Sequence, residues 1–336
     1  MRPSFQARLI NGPFDDPGLI VHCSHQKRVL LFDLGDLGAL SPNDVLKVTH
    51  IFVTHTHVDH FIGFDQVLRL LLGREKVIRL YGPEGFLKNV AGKLAGYSWN
   101  LVHNYHDALT IEAAEVADGQ VRIQTFDCQT GFVASPIHEQ PTPDGVLLQE
   151  PILKVETVVL DHQIPCLAFN LEERFHVNIL KPRLDALGLT VGPWLTDFKR
   201  RLLRGDNPAT MLRIPSPFTA ASQPQDFSLG DLQQEITRIT RGQKIAYVTD
   251  AAYHRSNEEK IVALAQGADH LFIEAAFLDA ERKVALAKHH LTARQAGLIG
   301  HKAGVRQMTV FHYSPRYTGK AEALENEARQ AFEYGR

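Results

Sequence analysis

The segment His55-Thr56-His57-Val58-Asp59-His60 places four ligand-type side chains within six residues, directly after the apolar run His50-Ile51-Phe52-Val53-Thr54. Imidazole and carboxylate donors suit zinc, manganese or iron. In an extended segment, side chains two apart point to one side, so His55 and His57 can share a target. Asp59 and His60 fall where the chain turns into a helix and can aim at a second point. One short segment could thus serve two metals, but it cannot complete both sites alone. Further candidates sit at the ends of apolar runs: His162 after Thr157-Val158-Val159-Leu160-Asp161, Asp250 after Ala246-Tyr247-Val248-Thr249, and His312 after Thr309-Val310-Phe311. The carboxyl ends of strands are where α/β proteins place their sites. A single strand-end histidine is more often merely hydrogen-bonded, but together these three supply a third ligand for each metal and a bridging carboxylate. The histidines His22, His25, His103, His106, His138, His176, His254, His270 and His301 show no such placement and are read as structural or surface residues.

The elements that must position these residues are legible as alternating strands and helices. Arg28-Val29-Leu30-Leu31-Phe32-Asp33 reads as a strand running into the turn Asp33-Leu34-Gly35-Asp36. From Phe61 to Leu72, apolar residues recur at helical spacing. A strand is expected at Val77–Tyr81, stopping at Gly82-Pro83. Towards the C-terminus, strands at 244–249, 270–273 and 307–311 alternate with helices at 258–265 and 292–303. A polar helix follows at 320–334. Alternation at both ends around a strand-rich middle indicates an α/β layered architecture.

With 336 residues, 44% apolar and 22% charged, the chain can bury a large core and is not of the disordered class. No apolar run approaches the ~18–20 residues needed to span a bilayer, so no membrane association is expected. No secretory signal is visible at the N-terminus. The three cysteines (Cys23, Cys128, Cys166) are far apart, which excludes a disulfide scaffold and a thiolate zinc finger. That usage suits a cytoplasmic protein. A net charge of −2 excludes a polycation, so any nucleic-acid contact must come from a local basic patch.

One stretch departs from the pattern. Residues 172–225 hold Pro182, Pro193, Pro208, Pro215, Pro217 and Pro224 with Gly188, Gly192 and Gly205. The same stretch carries the cations Lys199, Arg200, Arg201 and Arg204. So many prolines and glycines are expected to prevent regular packing and leave a projecting arm, either a solvated excursion or an RNA-binding exosite.

His55–His60, His162, Asp250 and His312, in that order, resemble the metallo-β-lactamase fold superfamily, and within it the ribonuclease Z branch. Leu31-Phe32-Asp33-Leu34-Gly35, Tyr81-Gly82-Pro83 and Leu160-Asp161-His162-Gln163-Ile164-Pro165 are similar to segments of that branch. So are His290-Leu291-Thr292 and Phe311-His312-Tyr313-Ser314-Pro315-Arg316-Tyr317. There are departures. The family's His-Glu-Ala-Thr stands here as Ile273-Glu274-Ala275-Ala276. Leu291 replaces a serine, and Asn11–Pro17 replaces a glycine-rich segment.

The resemblance implies an αβ/βα four-layer sandwich with two central β-sheets and a protruding arm, as a single domain over 1–336 with the arm inserted at 172–225. It implies that His55, His57 and His162 hold one metal, that Asp59, His60 and His312 hold a second, and that Asp250 bridges. The metals would be two zinc ions, with manganese or iron as substitutes. The activity implied is that of a phosphodiesterase or endoribonuclease working through a metal-bound hydroxide on the 3′ side of precursor tRNA. Asp59 would accept a proton and His290 would serve as general acid. Arg316 would either pair with a phosphate or form a structural ion pair, and Gly192-Pro193 with Lys199, Arg200, Arg201 and Arg204 would contact RNA. Relatives of this kind are homodimers. The alternative is a hydrolase of the same fold acting on a small cyclic phosphodiester, lactone or thioester.

Overall fold

The computed structural model describes residues 4–24, 26–117, 119–214 and 224–335. His25, Pro215 and Pro217, named above, lie outside the described residues. The chain divides into two compact units. The larger comprises Phe5–Leu147, Val155–Leu171 and Lys244–Arg336.

Among the described residues, the larger unit is built on two sheets. The first runs in spatial order Phe5–Leu9, Leu19–Cys23, Arg28–Phe32, Val48–Phe52, Lys76–Pro83, Leu109–Ala117, Gln120–Asp127 and His138–Pro141. Its central pairings are parallel and its two flanks antiparallel. The second runs Met308–Phe311, His270–Glu274, Lys244–Val248, Pro165–Glu173, Leu153–Asp161 and Val146–Gln149, the last three extending past this unit's bounds. Alternation along the strands separates two faces. One face of each sheet supplies the fully buried rings of Phe32, Phe52, Phe169 and Tyr247, which meet at centroid distances of 5.1–6.0 Å. Burying a ring of this size is worth about 1.5–3 kcal/mol. On the opposite faces, Leu31 and Ile51 share a core with Phe61, Phe64, Val67 and Leu68. Leu271 and Ile273 share another with Ile261, Ala296, Ile299 and Leu324 from the C-terminal helices.

The expected helix at 61–72 begins earlier and is broken: Val58–Phe61 is followed by Phe64–Leu71. Gly63 sits at the break. Its N–H donates to the Leu34 carbonyl at 2.8 Å, and a Cβ there would lie 2.3 Å from the Gly35 carbonyl oxygen. The close approach of the turn at Asp33–Gly35 therefore sets the interruption. The strand expected to stop before Gly82-Pro83 runs through both residues to pair with Leu109–Ala117.

The second unit corrects the expectation of an irregular arm. It takes in Ser4, Leu148–Lys154 and Glu172–Gln243, so it runs beyond residue 225. It holds helices Lys181–Ala186, Trp194–Arg204 and Leu229–Ile236 and two short antiparallel sheets. Val177, Leu184, Phe198, Leu212, Leu232 and Ile236 belong to its own buried core. Prolines and glycines punctuate these elements and do not exclude them. A proline occupies the first turn of Lys181–Ala186, Pro193 caps Trp194–Arg204, and Gly205 ends that helix with φ 76°.

Candidate metal centre and its supporting shell

Most ligand-type residues lie at the end of a buried strand or in the turn after it, whereas Asp59 and His60 sit in the short helix Val58–Phe61 that follows. Asp33, Asp250 and His312 follow strands with φ of 59°, 50° and 60°. Aspartate and histidine tolerate this left-handed region better than most residues, but it still stores strain. The conformation turns each side chain out of its strand direction at the sheet edge.

The side chains form overlapping clusters. Ligand atoms of His55, His57, His162 and Asp250 lie within 4.8 Å of one another, as do those of Asp59, His60 and His312. Asp250 also clusters with Glu274, His290 and His312. Its Oδ2 is 3.5 Å from His55 Nε2, 3.5 Å from His60 Nε2 and 3.4 Å from His162 Nε2, while its Oδ1 is 3.0 Å from His312 Nδ1. Asp250 is thus the carboxylate common to both groups. The donor set fits a divalent transition metal. Two buried nitrogens, His60 Nε2 and His312 Nδ1, make no well-aligned hydrogen bond although Asp250 oxygens lie 3.5 and 3.0 Å away, an arrangement that a metal between the donors would satisfy.

Electrostatics follow from this crowding. Burial, reinforced by the neighbouring His60, depresses His55 to about 2, so it is a neutral imidazole. Burial also lowers His57. Burial opposes the ionised form of Asp59, but the hydrogen bond and charge of His312 outweigh it and hold Asp59 at about 2. For His60, the carboxylates of Asp250 and Asp33 overcome burial and raise it to about 10.

A second layer of residues orients the first. Asp33, buried, accepts from Thr54 N at 2.7 Å, Thr54 Oγ1 at 2.9 Å and the Tyr247 hydroxyl at 3.0 Å. Its Oδ2 also lies 3.0 Å from His60 Nδ1, which leaves Nε2 facing the cluster. His162 Nδ1 donates to the His289 carbonyl at 2.8 Å. Such partners fix ring orientation and tautomer.

Glu274, fully buried, is the functional residue that motif reading passed over; it stood only as part of the altered Ile273-Glu274-Ala275-Ala276. Its Oε1 accepts from Ala251 N at 2.7 Å and Leu291 N at 3.3 Å. Its Oε2 is 2.8 Å from His290 Nδ1. Burial disfavours the charged His290 ring, but the Glu274 carboxylate more than compensates and raises it above its ordinary value. The signal that could have found Glu274 is a carboxylate at the end of an apolar strand that lies parallel to the strand preceding Asp250.

The other expected residues stand differently. Arg316 pairs with Glu281 at 2.8 Å and covers the Phe277 ring at 5.3 Å, the arrangement of a structural ion pair. In the second unit, Arg200 and Arg201 pair with Asp197 at 3.3 and 2.8 Å, and Arg204 pairs with Asp206 at 3.2 Å. Lys199 is half-buried, and burial lowers its ammonium.

No family model matches the chain. It is 30% identical over 291 residues to Ribonuclease Z of Deinococcus radiodurans, covering 86% of this chain and 83% of that protein. It is 26% identical over 313 residues to Ribonuclease Z of Methanothermobacter thermautotrophicus, covering 90% and 83%. Among solved structures, the metallo-β-lactamase fold protein YhfI of Bacillus subtilis aligns with a TM-score of 0.56 at 14% identity, covering 98% of this chain and 93% of that one. The short form of human tRNase Z aligns at 0.52 and 17% identity, covering 92% and 93%. These two likenesses show the metallo-β-lactamase fold.

Proposed function

The chain belongs to the ribonuclease Z family, and from that premise we propose that it is a metal-dependent endoribonuclease acting on the 3′ side of precursor tRNA. The observation that carries the reading is Asp250, shared between two ligand clusters, with the His290–Glu274 pair beside it. His55, His57 and His162 would hold one ion, Asp59, His60 and His312 a second, and Asp250 both. We assign two zinc ions, with manganese or iron as replacements. Bound there, the ions would supply an acidified water and positive charge for a phosphate oxygen.

The chain's own residues do the rest. We assign Asp59, ionised and with its side chain 42% exposed on the cleft, as the carboxylate that would accept a proton from the attacking water. Glu274 holds Nδ1 of His290, so Nε2 is the nitrogen left to donate a proton to the departing oxygen. A general acid so placed contributes about 10²–10⁴ in rate.

Among the described residues, no helix is long and apolar enough to cross a membrane. Three buried, unbridged cysteines support a cytoplasmic location. Family membership supports a homodimer, which light scattering of the purified protein tests.

The functional test is parallel incubation of metal-loaded protein with a 3′-extended precursor tRNA and with bis-p-nitrophenyl phosphate. Endonucleolytic cut of the precursor is expected. Hydrolysis of the aryl diester with the precursor left intact would replace this reading by the small-molecule hydrolase.

A further inference from the structure

The short helix Arg282–Ala287 ends three residues before His290. Its exit is closed by two hydrogen bonds: His289 N donates to the Leu286 carbonyl at 3.2 Å, and His290 N to the Ala285 carbonyl at 3.0 Å. These are the two bonds of a Schellman motif, which places its first residue past the cap in the left-handed region and strongly favours glycine there. The residue at that position is His289, with φ 58°. Its carbonyl accepts from His162 Nδ1 at 2.8 Å, a role glycine would fill equally well.

The backbone thus explains the conformation and leaves the imidazole without a structural reason. Among the described residues, the ring nitrogens of His289 carry no hydrogen bond. The ring lies edge-on to His162 at a centroid distance of 6.4 Å. With Gln163, Ile164 and Lys288 it lines the cleft that opens onto His57, Asp59, His290 and His312. Gln163 is itself left-handed, at φ 60°. The carboxylates of this cleft, Asp59 and Asp250, belong to the ligand clusters, whereas the wall formed by Gln163, Ile164, Lys288 and His289 offers donors and one cation.

We propose that His289 is a substrate-contacting residue which, with Lys288, holds an RNA backbone phosphate adjacent to the scissile one. The proposal rests on the reading that RNA is cut at this site. A hydrogen bond from such a donor to a charged group is worth about 1.5–3 kcal/mol, which corresponds to roughly tenfold or more in affinity.

The test compares metal-loaded wild type, His289→Gly and His289→Asn for melting temperature, metal content, and kcat and KM on 3′-extended precursor tRNA and on bis-p-nitrophenyl phosphate. Glycine keeps the carbonyl that orients His162 and relieves the left-handed strain, so the melting temperature should hold or rise. The KM for RNA should rise about tenfold, and the ratio of kcat/KM for RNA to that for the aryl diester should fall by a similar factor. Asparagine, which tolerates this backbone and offers a donor, should recover part of the loss. A ratio within twofold of wild type in His289→Gly overturns the proposal. Loss of metal in both variants also overturns it, by assigning His289 to the metal site. Failure of the wild type to cut RNA would instead remove the functional reading on which it stands.

Discussion

At the scale of single residues, His290 depends on Glu274 for its charge. The carboxylate 2.8 Å from Nδ1 raises the ring's pKa against burial, so the protonated acid persists to higher pH than an isolated imidazole would. Activity that needs this acid falls as pH rises through that value. Glu274→Gln keeps an oxygen for Ala251 N and Leu291 N but removes the charge. Turnover of a poor-leaving-group RNA substrate should drop by about 10²-fold, within the range for a lost general acid, and the alkaline limb of the pH–rate profile should shift to lower pH. Bis-p-nitrophenyl phosphate, whose leaving group needs little protonation, should lose less. Equal losses on the two substrates, with an unmoved limb, would make Glu274 a packing residue. The ligand-type residues were legible because their chemistry is local: histidine and aspartate crowd six positions and three strand ends. Glu274 was not, because its meaning depends on His290, sixteen residues away, reached only once the fold gathers Glu274, His290 and Asp250 into one cluster.

At the scale of elements, strand ends carry both chemistry and stability. His270 begins the strand next to the edge strand Met308–Phe311, stacks on Phe272 at 3.9 Å and shares a hydrogen bond between Nε2 and Thr309 Oγ1 at 2.8 Å. Burial lowers its pKa from 6.5 to about 4, so the folded protein keeps it neutral. The unfolded chain binds this proton first. The stability contribution is therefore full above pH 6.5 and is lost as pH falls from 6.5 toward 4. His270→Gln, which can still bond Thr309 but does not titrate, should flatten the stability profile across that window, as read by urea denaturation at several pH values. An unchanged profile would place the acid sensitivity elsewhere. Apolar runs and helical spacing place the strands and helices they name to within a few residues, but they leave strands such as Leu109–Ala117 and Gln120–Asp127 and the helix Phe86–Ala95 unread. They fail at Gly63, where the constraint is the Gly35 carbonyl of a turn distant in sequence. They also fail in the second unit, where Leu195, Phe198 and Leu202 keep helical spacing between prolines and glycines that read as breakers.

At the scale of the whole molecule, charge is arranged by pairing. The four cations of helix Trp194–Arg204 do not form an unopposed patch, because Asp197 and Asp206 bind three of them. Arg200 and Arg204, with side chains 57% and 50% exposed, are the two that can turn to a phosphate. Arg200→Ala with Arg204→Ala should weaken RNA binding and reduce the log–log salt slope by at most about 1.4–1.8, two contacts at roughly 0.7–0.9 each. A slope equal to that of wild type would remove this helix from the RNA-binding surface.

The central claim, that one carboxylate serves two metal-ligand clusters which cut RNA, is tested most directly by the rate of 3′ cleavage of a precursor tRNA by metal-loaded wild type and by Asp250→Ala. Asp250 stands within 3.5 Å of a nitrogen in each of His55, His60, His162 and His312. Endonucleolytic cleavage by wild type is expected, with a loss in Asp250→Ala larger than for replacement of any single histidine ligand. Cleavage by Asp250→Ala at the wild-type rate would contradict it.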